Sequence, residues 1–274
     1  MRKRLIIFSL VIWIFYIGHA LAFEFVTSVS PLKKLVKELF PEYSVKVILP
    51  PGRDFHTYEP TLYQWQEIKK ADVVVIVGTE PWAERVFNIR EHKSVFSLLG
   101  SNEVVKDPHL WFDLDRIKKL AISLVNFMTN RFKDKKREFA QRLKTFLKEI
   151  NEIKKEYQDL GKCKVKKFFL LGHPVFDYLL RGTGVKEVTL VKGYHREETP
   201  GMRSFYHMLE EIKKLRINLV FISDPEFLRY KDFFENKGIK VETLWSGAGF
   251  PEKGGFVKLL KENLEKIKKA LNCK

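Results

Sequence analysis

The chain has 274 residues, of which 45% are hydrophobic and 31% are charged. This balance excludes an intrinsically disordered chain and suits one large globular domain or two medium-sized ones. The formal net charge is +16 at pH 7, but the lysines are spread along predicted helix faces and alternate with glutamates, which does not favour a nucleic-acid partner.

The N-terminus predicts a cleaved secretory signal peptide over residues 1–22. Basic residues at 2–4 precede an apolar run at 5–17, and Ala-Leu-Ala at 20–22 matches an A-x-A cleavage site. The apolar run is shorter than the ~20 residues that a membrane-spanning helix needs, although an uncleaved anchor is the alternative. No cysteine follows the run to accept a lipid, so we expect a mature protein that begins at Phe23 in the periplasm.

Residues 23–112 predict a first lobe of the α/β class. Apolar, β-branched runs alternate with amphipathic segments of helical period, which is the pattern of βαβ units. Strands are predicted at residues 23–29, 45–48, 72–78 and 94–99, and helices at residues 31–40, 60–70 and 80–86. The third strand is apolar without a break, which is typical of a strand buried on both faces of a parallel sheet.

Residues 113–161 predict a linking helical region without strands. Apolar residues recur at helical spacing, pause near residues 133–135 and then resume. The length of this region favours a rigid strut between two lobes, and a solvated coiled-coil-like arm is the alternative.

Residues 162–274 predict a second α/β lobe that repeats the order of the first. Strands are predicted at residues 167–171, 187–191, 219–223 and 241–244, and helices at residues 175–180, 200–215, 227–237 and 255–271. The predicted fold class is therefore α/β with two lobes, each a parallel sheet covered by helices. Ligands of such sheets bind at the carboxyl ends of the strands.

Three histidines lie where predicted strands end and loops or helices begin. His56 follows the strand at 45–48, His109 lies in an Asp-Pro-His-Leu-Trp turn, and His173 follows the strand at 167–171. Imidazole is a common ligand of zinc and related transition metals, and rigid elements on either side hold a ring in place. Spacing alone leaves two interpretations, a shared metal site or separate hydrogen-bonded histidines.

The chain resembles the solute-binding receptors of zinc and manganese ABC importers, the TroA-like family. Four segments carry the resemblance, in the family's order and over nearly the whole predicted mature chain. They are Leu-Pro-Pro-Gly-Arg-Asp-Phe-His-Thr-Tyr-Glu-Pro (49–60), Ala-Asp-Val-Val-Val-Ile-Val-Gly with Glu-Pro-Trp (71–82), Asp-Pro-His-Leu-Trp-Phe-Asp (107–113) and Gly-His-Pro-Val-Phe-Asp-Tyr-Leu (172–179). The first and third are the most specific, because they join proline, histidine and an acid at fixed offsets.

The resemblance implies that His56, His109 and His173 are the metal ligands. It also implies that one long rigid helix joins the two lobes and limits their movement. Manganese-selective members often have glutamate at the third ligand position, so His173 favours zinc.

The fourth ligand is where the chain departs from the family. Members often supply an aspartate after a late strand, where this chain reads Val-Glu-Thr-Leu-Trp-Ser (241–246), and some zinc receptors place an acid directly before the first histidine, where this chain has Phe55. We therefore expect a site completed by water or by a borrowed carboxylate. Asp224 is the best candidate and Glu59 the second, and His195 is a further candidate on a predicted cleft-side loop.

Two acids and two cysteines have alternative roles. Glu59 and Asp113 have two interpretations each, as orienting partners of a ligand histidine or as helix caps.

Cys163 and Cys273 suit an oxidising compartment. They form either a disulfide that ties down the last helix or two free thiols, and the sequence does not decide between these.

The leading hypothesis is a monomeric periplasmic receptor that is not an enzyme. It would capture Zn²⁺, or less favourably Mn²⁺ or another divalent cation, between two lobes and deliver it to the membrane permease of an ABC importer. The alternative is a zinc-dependent hydrolase, because three histidines with a bound water are also a catalytic arrangement. A receptor for a metal chelate, siderophore or vitamin is a third hypothesis. The sequence contains no nucleophile elbow, no His-Glu-x-x-His motif and no phosphate loop.

Overall fold

The computed structural model describes residues 23–90, 94–194, 200–251 and 253–273. The predicted signal peptide and His195 lie outside the described residues. Within them, two four-stranded parallel sheets are flanked by helices, which confirms the predicted fold class.

The first sheet forms from residues that precede the predicted linking region. Its elements are β1 (Glu24–Thr27), α1 (Ser30–Leu39), β2 (Ser44–Val47), α2 (Leu62–Lys70), β3 (Val73–Ile76), α3 (Ala83–Arg90) and β4 (Val95–Ser97). The strand order is β2-β1-β3-β4, and Phe25 pairs with Val45 on one side and Val73 on the other. All four strands are parallel, so their carboxyl ends share one edge of the sheet.

Two long helices follow, α4 (Leu114–Arg131) and α5 (Lys136–Asp159), separated by a 3-10 turn at Lys133–Lys135. With 24 residues, α5 is about 36 Å long. It packs against α1 of the first lobe and against the C-terminal helix of the second. The predicted long joining helix is therefore present, with α4 packed along it.

The second sheet repeats the topology of the first. Its elements are β5 (Lys167–Leu171), α6 (Asp177–Leu180), β6 (Lys186–Thr189), α7 (Met202–Leu215), β7 (Leu219–Ile222), α8 (Lys231–Glu235), β8 (Lys240–Thr243) and α9 (Phe256–Ala270). The order is β6-β5-β7-β8, again fully parallel. The first helix predicted after β7 is instead a 3-10 turn at Pro225–Tyr230 followed by the short α8. Pro225 suits the first position of such a turn because its φ is already fixed.

The two lobes share one continuous hydrophobic core. A single cluster of buried side chains includes Phe25 of the first sheet, Phe168 of the second and Ile267 of α9. Polar contacts also cross between the lobes, because the hydroxyl of Tyr178 donates to the carbonyl of Asp107 at 2.9 Å. The lobes therefore form a closely packed pair.

The helix caps in the structure test the cap interpretations of Asp113 and Glu59. Asp113 caps α4, where its side chain accepts the backbone N–H groups of residues 115 and 116. The cap of α2 is Thr61, which forms a capping box with Gln64, so the interpretation of Glu59 as a cap is wrong. Because this box fixes the first turn, α2 begins at Leu62 and not at Pro60.

A disulfide joins Cys163 to Cys273, with their Cα atoms 4.5 Å apart. It attaches the end of α9 to the segment before β5, next to a backbone hydrogen bond from Val165 to Leu271. The structure thus contains the disulfide and not two free thiols. Among the described residues, no helix is both long enough and apolar enough to cross a membrane.

Candidate metal centre

Three histidines that are far apart in sequence meet between the two lobes. His56 lies in the loop from β2 to α2, His109 directly precedes a 3-10 turn, and His173 follows β5 after one glycine. Each offers a ring nitrogen, and these three atoms lie within 4.8 Å of one another. No other group of potential ligands in the described part of the chain comes together in this way. A single ion can contact all three rings at this spacing.

The space among the rings is small and enclosed. His109 and His173 are each only 2% exposed, whereas His56 is half-buried. The cavity has a volume of about 10 Å³, which is the space that roughly one water molecule needs. Its walls are formed by Asp54, Phe55, His56, His109, Trp111, His173, Val175, Asp224, Ser246 and Ala248. It has room for a single ion or water molecule, but not for an organic molecule.

Asp107 orients the ring of His109. Its Oδ1 lies 2.7 Å from Nδ1 of His109 and accepts the backbone N–H of the same residue at 2.9 Å. A carboxylate at Nδ1 favours the tautomer with the proton on that atom, which makes Nε2 the metal-binding nitrogen. Burial raises the pKa of the Asp107 carboxyl to about 7, although the His109 N–H and nearby His173 act in the opposite direction. Sequence reasoning assigned no role to Asp107, although the Asp-Pro-His spacing was the available signal.

Asp224 has a similar position behind His173. Its Oδ2 lies 3.5 Å from Nδ1 of His173 and accepts a hydrogen bond from the Ser223 hydroxyl at 2.8 Å. The side chain is 1% exposed and lines the cavity, yet it does not join the group of three converging nitrogens. This geometry favours Asp224 as an orienting partner over Asp224 as the fourth ligand.

The other residues proposed from sequence lie elsewhere. Glu59 is exposed and does not line the cavity, so it is wrongly placed for a fourth ligand. His195 is outside the described residues. A further histidine, His207 on α7, was not proposed for the site; its side chain is 71% exposed and does not line the cavity.

Neither of the two positions at which the family resemblance implies an acid supplies a carboxylate here. Phe55 is buried, and its ring packs against Trp111 and His56 with centroid distances of 5.1 and 5.4 Å. Ser246 lines the cavity, but its hydroxyl donates to the carbonyl of Ser223 and accepts the N–H of Gly249. Among the described residues, the ligand atoms that converge are therefore those of three imidazoles.

Backbone from both lobes closes around the site. The buried Trp111 donates from Nε1 to the carbonyl of Ser246 at 2.8 Å, and the N–H of Gly52 donates to the carbonyl of Gly249 at 3.2 Å. Gly247 has a φ of +92°, and a Cβ there would lie 2.5 Å from Pro31. Glycine is required at that position because any side chain would be strained and would clash.

Comparison with known proteins identifies the family of the chain. Residues 25–270 match the model of a family described as the periplasmic zinc-uptake complex component A, ZnuA. The chain belongs to the ZnuA family. This confirms the family resemblance that the four sequence segments indicated.

Two relatives of similar length are distant in sequence. The high-affinity zinc uptake system protein ZnuA of Bacillus subtilis is 22% identical over 280 residues, covering 91% of this chain and 88% of that protein. The manganese-binding lipoprotein MntA of Halalkalibacterium halodurans is 21% identical, with coverages of 88% and 86%. The Zn(II)-bound ZnuA-like domain of Streptococcus pneumoniae AdcA has the same fold, with a TM-score of 0.71, 20% identity, and coverages of 91% and 99%.

Proposed function

We propose that this ZnuA-family protein is the periplasmic metal receptor of an ABC importer. It captures Zn²⁺ at His56, His109 and His173 and delivers it to a membrane permease. The observation that carries this proposal is the convergence of three ring nitrogens within 4.8 Å around a cavity for a single ion. The ion is cargo, so the protein needs a site that both binds the ion and gives it up.

The ligand set favours zinc over manganese. Three imidazoles with one water form the tetrahedral arrangement that Zn²⁺ adopts readily, whereas Mn²⁺ suits carboxylate, carbonyl and water ligands. Mn²⁺ remains a weaker cargo in this proposal, since one relative is named as a manganese-binding lipoprotein. Asp107 and Asp224 place negative charge behind two of the rings, where it stabilises the +2 ion without touching it.

The cavity does not favour the alternative functions. A hydrolase with three histidines and a bound water also needs a pocket for its organic substrate beside the metal. The site has a volume of about 10 Å³, which also leaves no room for a chelate, siderophore or vitamin.

Isothermal titration of the metal-stripped protein with Zn²⁺, Mn²⁺ and Fe²⁺ tests the proposal. We expect one zinc ion per chain and tighter binding of zinc than of either competitor. His207→Ala is the matched control, because it removes an exposed histidine far from the cavity, and it should titrate like the wild type. Unchanged zinc binding after substitution of all three site histidines by alanine would overturn the proposal. Zinc-dependent hydrolysis of ester or peptide substrates would instead support the alternative.

A further inference from the structure

One half-buried glutamate, Glu187, accepts hydrogen bonds from the turn that carries His173. The turn runs from Gly172 to Phe176, between the end of β5 and the start of α6. Glu187, on the neighbouring strand β6, accepts the backbone N–H of Val175 through both carboxyl oxygens, at 3.3 and 3.2 Å, and that of Phe176 at 3.0 Å. The two amide groups that follow the ligand histidine and its proline therefore share one acceptor.

This acceptor matters because the turn is buried and Pro174 has no N–H to donate. Val175 and Phe176 are both 0% exposed, so their amide groups depend on Glu187, and not on water, for a hydrogen-bond acceptor. A buried donor without a partner costs about 1–3 kcal/mol, and the backbone would shift to avoid that cost.

A shift of this turn would reach the metal site directly. Val175 lines the metal cavity, and His173 is two residues before it. Zinc–imidazole bonds are ~2.0–2.1 Å long, and a site of this kind tolerates displacements of only about 0.5 Å. Rotation of the backbone at residues 175–176 therefore moves both a wall of the cavity and one of the three ligands.

We propose that Glu187 is a positioning residue for metal binding, which acts by fixing the turn that presents His173. The inference rests on the proposed function, because it assumes that His173 binds the ion. Glu187 does not line the metal cavity, and its hydrogen bonds to the turn link it to His173 through the backbone. Sequence reasoning gave no hint of it, since Glu187 lies on a different strand from the histidine it serves.

Two variants of Glu187 separate the loss of its charge from the loss of its hydrogen-bond acceptor. Burial, and then Asp177 and Asp107, raise the pKa of its carboxyl to about 8, while the Val175 and Phe176 amides lower it. A neutral carboxyl still accepts through its carbonyl oxygen, as does the isosteric amide of glutamine. Glu187→Gln should therefore preserve the turn, whereas Glu187→Ala removes the acceptor entirely.

The test compares both variants with a matched control in zinc affinity, measured by competition with a chelating dye, and in the visible spectrum of the Co²⁺-loaded protein. Glu38→Ala is the control, because Glu38 is also a half-buried glutamate that accepts a backbone N–H, from Val257 of α9, and α9 carries none of the three ligand histidines. We expect Glu187→Ala to lose about 10–100-fold in affinity, as for other orienting partners of metal ligands, and to change the Co²⁺ bands. Glu187→Gln should stay within about threefold of the wild type.

The possible outcomes of this test separate the positioning role of Glu187 from general destabilisation and from failure of the proposed function. Wild-type affinity and spectrum in Glu187→Ala overturn the positioning role while leaving the metal receptor intact. An equal loss in Glu38→Ala also overturns it, because general destabilisation then explains the effect. Failure of the wild type to bind zinc would instead refute the proposed function. If the alanine variant does not fold, Glu187→Asp takes its place; it shortens the reach by one methylene, and wild-type binding by that variant overturns the proposal.

Discussion

Replacing Asp107 with asparagine should weaken metal binding without destabilising the metal-free protein. The asparagine Oδ1 can still accept both hydrogen bonds that Asp107 Oδ1 accepts from His109, so the ring keeps its orientation. Only the negative charge is lost. Loss of this charge should weaken zinc binding but favour folding of the metal-free protein, and the structure gives the size of each effect.

The loss of attraction follows from distance. An ion bound at Nε2 of His109 lies about 7 Å from Asp107 Oδ1. This distance is the sum of the 2.7 Å hydrogen bond, the width of the ring and a ~2.0 Å zinc–nitrogen bond. Coulomb's law for charges of +2 and −1 then gives ~1 kcal/mol in bulk water and ~5 kcal/mol at an effective dielectric constant of 20. A loss of about 10–100-fold in zinc affinity, or roughly 1.4–2.7 kcal/mol, falls between these limits.

The effect on the metal-free protein runs the other way. Burial raises the pKa of Asp107 from 3.8 to about 7, so ionising this carboxyl costs the folded state up to about 4 kcal/mol. This penalty is absent at low pH, grows as pH rises above the unfolded value and is complete above the folded value. Asparagine removes it but adds a buried NH₂ group, which costs about 1–3 kcal/mol. Above pH 7 the metal-free variant should therefore be at least as stable as the wild type.

The assay pairs chelator competition at pH 7.5 with denaturant unfolding of the metal-free protein at pH values below and above 7. Asp113→Asn is the control, since Asp113 caps α4 and does not line the cavity; its zinc affinity should match the wild type. Wild-type zinc affinity in Asp107→Asn would refute the electrostatic role. A large loss of metal-free stability above pH 7 would refute the pKa reasoning.

Three further predictions follow from the site and the fold. Asp224→Asn should lower zinc affinity by about tenfold and keep one ion per chain; unchanged affinity in the dye competition would rule out its pairing with His173. Zinc binding should weaken as pH falls through ~6.5, because protons compete for the ligand nitrogens, and titrations that show equal affinity on both sides of that value would contradict this. Replacing Cys163 and Cys273 with serine should lower the free energy of unfolding by roughly 2–5 kcal/mol, and a denaturant midpoint equal to that of the wild type would count against the disulfide's role.

Sequence patterns predicted the sheets because their signal is local. The runs that form β3 and β7 are apolar along their whole length, and such a strand has few alternatives to a buried parallel position. Element ends were less accurate where a side chain decided them. The helix predicted from Pro60 begins at Leu62, because Thr61 and Gln64 form a capping box that periodicity does not reveal.

The three histidines were accessible from sequence, but their supporting residues were only partly so. Family resemblance singled out His56, His109 and His173 by their motifs. Glu59 was suggested by closeness in sequence to His56, yet the chain turns its side chain to solvent. Asp107 contacts a ring nitrogen only two residues away, and the Asp-Pro-His spacing was a signal for that contact. Glu187 contacts the turn that follows the neighbouring strand, and only the folded chain creates this contact.

Anomalous diffraction from crystals of the zinc-loaded protein tests the central claim most directly. The account predicts one zinc peak among His56, His109 and His173, with a nitrogen of each at ~2.0–2.1 Å and a water oxygen as the fourth ligand. A carboxylate oxygen of Asp224 bound to the zinc would contradict the water-completed site. A zinc peak away from the three histidines would contradict the assignment of the metal centre itself.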